Sequence, residues 1–160
     1  MFEELSQHIL DIAMNSLSAN AKRVQISILE SQKHDRLILR VRDDGCGMDA
    51  ATLKRVLASS ATTKRSRRKP IGLGLAFLRQ TCEMCDGRFH VRSAPGRGTS
   101  VTASMRLSHI DRPPLGDLNA TILALCMSEK KTVVQLDYRS NGEKFSFDSA
   151  ELSTKGEIHL

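Results

Sequence analysis

Asp11-Ile-Ala-Met-Asn15, Asp43-Asp-Gly45-Cys-Gly47 and Gly72-Leu-Gly74-Leu75, met in this order along the chain, decide how the rest of it is read. The first lies inside a helical pattern, the second ends a strand and the third opens a helix. Together they supply a carboxylate and amide able to hold a metal, a carboxylate on a glycine-softened turn, and free backbone amides at a helix start.

Outward from these stretches the pattern alternates between helices and hairpins. Leu5, Ile9, Ile12, Ala13 and Leu17 recur at helical spacing and predict a helix over 3–21. Val24, Ile26 and Ile28 alternate, then Leu37, Leu39 and Val41, with the polar run 31–35 between them as a hairpin turn. A short helix over 49–58 follows, then a loop over 59–70 rich in Ser, Thr and basic residues, then a helix over 72–86 ending near Gly87. Phe89 and Val91 alternate, Pro95-Gly-Arg-Gly98 makes a turn, and Val101, Ala103, Met105 and Leu107 alternate beyond it. Arg112-Pro-Pro-Leu-Gly116 marks a joint, after which a helix around Leu118, Ile122 and Leu125 and a hairpin turning at Asn141-Gly142 are expected. Helices alternating with hairpins imply an α+β class: a two-layer sandwich whose mixed, mostly antiparallel sheet carries helices on one face. The expected division is 1–110 as the main domain and 111–160 as a short extension of one helix plus a β-hairpin.

At 160 residues and 17.7 kDa the chain can bury one good core. No apolar run reaches the length of a membrane span, and Met1-Phe-Glu-Glu-Leu-Ser6 has no basic leader region, so a cytoplasmic location is expected. Cys46, Cys82, Cys85 and Cys126 are expected as free thiols; Cys82-Glu-Met-Cys85 reads as buried helix cysteines, since no second pair stands at zinc spacing. The net charge of +6 invites a nucleic-acid reading. Lys64, Arg65, Arg67, Arg68 and Lys69, however, crowd into the one loop where a polyphosphate also needs cations.

The chemistry follows from residue types. Asp43 can accept a hydrogen bond from an exocyclic amine, which adenine offers where guanine presents a carbonyl. Asn15 can give its amide oxygen to Mg²⁺, which binds few protein groups alongside phosphates and waters. Asp11, one turn earlier, can orient or deprotonate a water. Gly72 and Gly74 leave backbone amides open to phosphate at a helix N-terminus. Each element also has a plainer reading: an ordinary Asp/Gly turn, a solvated helix face, or punctuation after Pro70.

DIAMNSLSANAKRV at 11–24, DDGCGM at 43–48, SSATTKR at 59–65, GLGL at 72–75 and GRGTSVTASM at 96–105 resemble, in order, the nucleotide-binding boxes of the GHKL superfamily with its Bergerat fold. This group includes sensor histidine kinases, gyrase-type and mismatch-repair ATPases, heat-shock chaperone ATPases and anti-sigma-factor serine kinases. The resemblance implies ATP and Mg²⁺ as cofactors, Asn15 as the metal-binding asparagine, Asp43 as the adenine-reading aspartate, Gly45 and Gly47 as hinge glycines and Gly72 and Gly74 as phosphate-loop glycines. It implies Thr99 as a support of the adenine pocket, Ser59 to Pro70 as a mobile lid with Lys64 and Arg65 toward phosphate, and Met48, Thr63, Leu73 and Leu75 as further nucleotide-binding positions.

Hydrolysing members usually carry Glu where this chain has Asp11, and a carboxylate shorter by one methylene reaches less far toward a water, so slow intrinsic hydrolysis is expected. With only a few residues before the first box, no phosphoacceptor helix pair is expected within this chain, and the segment after Pro114 looks too short for the following domain of gyrase-type members. The chain therefore resembles stand-alone types: anti-sigma-factor kinases, or the small ATP-binding proteins associated with iron-only hydrogenases. The expected function is a Mg²⁺-dependent ATP-binding, kinase-like regulator acting on a protein partner. The alternatives are a non-catalytic ATP-gated binding module and, ranked last, a basic nucleic-acid binder, for which only Tyr138 and five Phe are on hand for base stacking.

Overall fold

The computed structural model of the chain describes residues 4–58, 73–128 and 130–154. In chain order they form α1 (Leu5–Ser18), β1 (Arg23–Ser31), β2 (Arg36–Asp43), α2 (Ala50–Ala58), α3 (Leu73–Met84), β3 (Phe89–Ala94), β4 (Gly98–Arg106), α4 (Leu118–Cys126), β5 (Val133–Ser140), β6 (Glu143–Asp148) and α5 (Ser149–Thr154). The expected loop over 59–70 lies outside the described residues. So does Gly72.

The strands make one six-stranded sheet in the order β3-β4-β2-β1-β5-β6. Four of its pairings are antiparallel and one, β1 with β5, is parallel. This is the mixed, mostly antiparallel sheet expected from the pattern. Alternation sends Val24, Ile26 and Ile28 of β1, Leu37, Leu39 and Val41 of β2, and Val101, Ala103 and Met105 of β4 to one side. There they meet Ile9, Ile12 and Leu17 of α1, Leu75, Leu78 and Cys82 of α3, and Ile122 and Leu125 of α4 in a single core. The other face carries the intervening residues of β1, β2 and β4, polar except at Leu29 and Ile38, and no helix from that core. The helical layer is therefore one-sided, and the chemistry-bearing ends of α1, α3 and β2 gather where the two layers meet.

Element ends differ from the periodicity by identifiable local causes. Asn20, with φ of 58°, turns the chain left-handed and stops α1 at Ser18, and the Ala21 N–H then reaches back to the Ser16 carbonyl at 3.1 Å. Asp49 is the cap of α2 rather than its first residue, accepting from the Thr52 N–H at 2.7 Å. Asp86, not Gly87, takes the left-handed position after α3. The joint at 112–116 runs back over α1: the carbonyls of Pro114 and Leu115 accept from the N–H groups of Leu5 and Ser6, satisfying two donors that a helix start leaves open. Asn141 and Gly142 both have positive φ, 51° and 89°, as a tight β5–β6 hairpin requires. The periodicity gave no sign of α5.

Cys82 is buried within α3, and Cys85, expected in the same helix, is buried in the turn just beyond its end; burial pushes the Cys82 thiol up to about 12, so it stays neutral at any physiological pH. His8 of α1 is fully buried, and desolvation pulls its imidazole from the ordinary 6.5 down to about 4. The folded chain thus holds His8 neutral where the unfolded chain binds a proton. Stability contributed by this difference is complete above pH 6.5 and is lost as pH falls toward 4, by about 3 kcal/mol in all. Urea midpoints measured across this window should fall more steeply for the unmodified chain than for His8→Gln; parallel curves would show that His8 does not titrate this way.

Candidate functional site

The centre of the site is the carboxylate of Asp43 at the end of β2. Its Oδ1 accepts from the Gly45 N–H at 2.9 Å and from the Thr99 N–H at 3.2 Å, and its Oδ2 accepts from the Ser16 hydroxyl at 2.6 Å. Sheet register makes this possible, because Asp43 lies opposite Thr99 on β4 and opposite Val24 on β1. Ser16, only 2% exposed, brings the last turn of α1 onto the same carboxylate. With one donor on Oδ2, that oxygen keeps acceptor capacity for an amine beyond the protein.

The turn after Asp43 is held from both sides. The Cys46 N–H donates to the Ala19 carbonyl at 3.0 Å, and the Cys46 carbonyl accepts from the Gly96 N–H at 2.7 Å. Gly47 sits at φ of 70° with its α-carbon turned to Ala94, where a side chain would run into the Ala94 carbonyl. Met48 is half-buried against the core, and its N–H donates to the Ser93 hydroxyl at 2.8 Å. Ser93 in turn donates to the Gly98 carbonyl at 3.1 Å and shares a 2.8 Å contact with the Thr99 hydroxyl. Asp44 points away, with its Oδ1 on the N–H groups of Lys22 and Arg23.

A second meeting joins α1 to the start of α3. The Asp11 carboxylate lies directly on Gly74, so that a β-carbon at that position would overlap Asp11 Oδ2. An anion at the first turn of a helix is favoured by the unpaired amides and the dipole there. Asn15 is half-buried one turn beyond Asp11 on the same helix, and Leu75 is buried beneath. Asp11, Asn15, Asp43, Gly45, Gly47, Met48, Gly74 and Thr99 are thus brought to one end of the α1/β2/β4/α3 contact. Leu73 begins α3. Thr63, Lys64, Arg65 and Gly72 lie outside the described residues.

Sequence reasoning missed Ser16 and Ser93. Ser16 stands next to Asn15 and, as a buried hydroxyl on an otherwise apolar helix face, carried a signal; Ser93 carried none until β3 was registered against β4.

The family model described as histidine kinase-, DNA gyrase B-, and HSP90-like ATPase matches residues 1–109. The chain belongs to this family. Among curated members of this ATPase family, the signal transduction histidine-protein kinase AtoS of Escherichia coli is 34% identical over 101 residues, which is 62% of this chain and 16% of AtoS. The sensor protein kinase WalK of Staphylococcus haemolyticus is 24% identical over 114 residues, 68% of this chain and 19% of WalK. The chain therefore spans less than a fifth of these relatives. Among solved structures, the Aquifex aeolicus MutL ATPase domain complexed with ADP superposes with a TM-score of 0.57 at 14% identity, over 92% of this chain and 64% of that one, which shows the shared fold.

Gly74 offers a test of the α1–α3 contact with an unusual sign. In open space Gly→Ala on a helix should stabilise by about 1 kcal/mol. Here Gly74→Ala should instead destabilise by roughly 1–3 kcal/mol through overlap with Asp11. In an Asp11→Ala background the same change should become neutral or stabilising, as denaturant titration of the four proteins in a double-mutant cycle will show.

Proposed function

We propose that this chain binds adenine nucleotide with Mg²⁺ and acts as a kinase-like regulator on a protein partner. The observation that carries the reading is the Asp43 carboxylate, fixed by Ser16, Gly45 and Thr99 with an acceptor site left over for the adenine amine. Family membership and the fold shared with an ADP-bound ATPase domain support it. Asn15 fits a hard, oxygen-preferring ion: it offers an amide oxygen from the half-buried turn beside Asp11. Among the described residues no three His, Cys, Asp or Glu side chains gather into a metal cage, so Mg²⁺ would be held by Asn15 together with the nucleotide's phosphates. Bound there, the ion would neutralise phosphate charge; Asp43 and Thr99 would orient the base, and Gly74 would present backbone at the start of α3.

Transfer of the γ-phosphoryl group to a partner's side chain, with ADP leaving, is the reaction the family membership favours, and the partner supplies the acceptor. A second reading, a nucleotide-gated binding module without chemistry, is favoured by one feature: the short Asp11 carboxylate is drawn onto Gly74 instead of reaching outward toward a water.

Calorimetry should show ATP with Mg²⁺ binding more tightly than GTP, and Asp43→Asn should weaken ATP by roughly 10–100-fold. Equal affinities for the two nucleotides would sink the adenine assignment. Asp11→Glu should raise phosphate release while leaving ATP affinity nearly unchanged, because a water-orienting group acts on the chemical step. Robust turnover by the unmodified protein, abolished by Asp11→Asn, would show instead that Asp11 already serves as the base.

A further inference from the structure

The helix-free face of the sheet carries a feature that the nucleotide site does not use. On it β3, β4 and β2 form a groove of about 720 Å³ that runs up to the strand ends at Asp43 and Thr99. Arg40 and Arg42 line it from β2, His90 and Arg92 from β3, and Arg97 from the β3–β4 turn. Register lays these out as a grid. Arg92 is paired with Ser100 and Ser100 with Arg42; one step along, His90 is paired with Thr102 and Thr102 with Arg40. Each row therefore places a hydroxyl between two basic side chains on adjacent strands. Among the described residues, no carboxylate lies within ion-pairing distance of Arg40, Arg42, Arg92 or Arg97. Arg92 Nε donates to His90 Nε2 at 3.2 Å, which aligns the guanidinium along β3. Four unneutralised guanidinium groups on one concave face repel one another, a cost that an anionic ligand would relieve.

We propose that this face is a docking groove for an extended acidic segment of a protein partner, independent of the nucleotide reading. Arginine forks take carboxylates in pairs of hydrogen bonds, and hydroxyls between them can donate to the remaining lone pairs. The spacing fits an extended peptide. Same-face residues on a strand recur at roughly 6.6–6.8 Å, which is the interval from Arg40 to Arg42 and from His90 to Arg92, and equally that between alternate carboxylates of a bound strand. A single-stranded nucleic acid fits less well, since no Phe or Tyr lines the groove to stack on bases. On its far side the same face is mixed in sign, with Asp137 and Asp148 standing among Arg139 and Lys144 and the Arg139 guanidinium paired with Asp137 at 3.7 Å, so the uniformly basic stretch is the β3-β4-β2 half.

The test uses the full 160-residue chain without nucleotide. A fluorescent peptide of alternating Asp and Ser should bind in an anisotropy titration, more weakly as salt rises. Arg40→Ala and Arg92→Ala, both at exposed positions, should each weaken it by roughly tenfold. Arg79→Ala, on the opposite layer and paired with Glu83, should not. Absence of peptide binding, or equal binding by all variants, would overturn the proposal. Tighter binding of oligodeoxythymidylate than of the peptide would also overturn it, and would assign the groove to a nucleic-acid backbone.

Discussion

One half-buried carboxylate, that of Asp43, ties the molecule's separate motifs into a single place. It receives the Ser16 hydroxyl from α1, the Thr99 N–H from β4 and the Gly45 N–H from its own turn, spanning partners 27 and 56 residues away in the chain. Withdrawing a carboxylate from water is costly, and charge-assisted hydrogen bonds to three fixed donors offset that cost. The same bonds set the orientation of the remaining lone pairs before any ligand arrives. Rigidity at this point is a property of the protein's own packing, since Ser16 is clamped within the core helix and Thr99 within the sheet register.

The contact of Asp11 with Gly74 complements it. Here α1 and α3 are pressed together so closely that only a residue without a side chain fits at the helix start. The carboxylate stands beside the first turn of α3, where unpaired amides and the helix dipole favour negative charge.

Much of this was legible in the chain before its structure. Alternation in Val24, Ile26 and Ile28 and in Leu37, Leu39 and Val41 is a period-two signal with one buried face, and Asn141-Gly142 names the β5–β6 turn by chemistry. The family boxes named Asp11, Asn15, Asp43, Gly74 and Thr99; the fold sets the Asp11 carboxylate against Gly74 and bonds the Asp43 carboxylate to the Thr99 N–H. Features that depend on pairing between distant segments were not legible. Nothing local says that β5 lies parallel to β1, or that Ser93 will bond Met48 and Thr99. Counting charge along the chain drew attention to Lys64–Lys69, whereas Arg40 and Arg42 become neighbours of Arg92 only when β4 is inserted between β2 and β3. Helix ends slipped for a related reason: Asn20 and Asp86 accept left-handed backbone without being glycine.

The parallel pairing of β1 with β5 has a consequence for how the chain is made. The family match stops at residue 109, yet β1 has a neighbour on its outer side only when Val133 to Ser140 is in place. Until a ribosome has synthesised that far, eight consecutive residues of an apolar strand present unpaired amides and carbonyls along a bare edge, the geometry that recruits a strand from another chain. The last segment therefore works as an intramolecular guard: it occupies the edge before a foreign strand can, and it hands the boundary role to β6, whose outermost residues Glu143 and Lys144 are charged and poorly suited to aggregation.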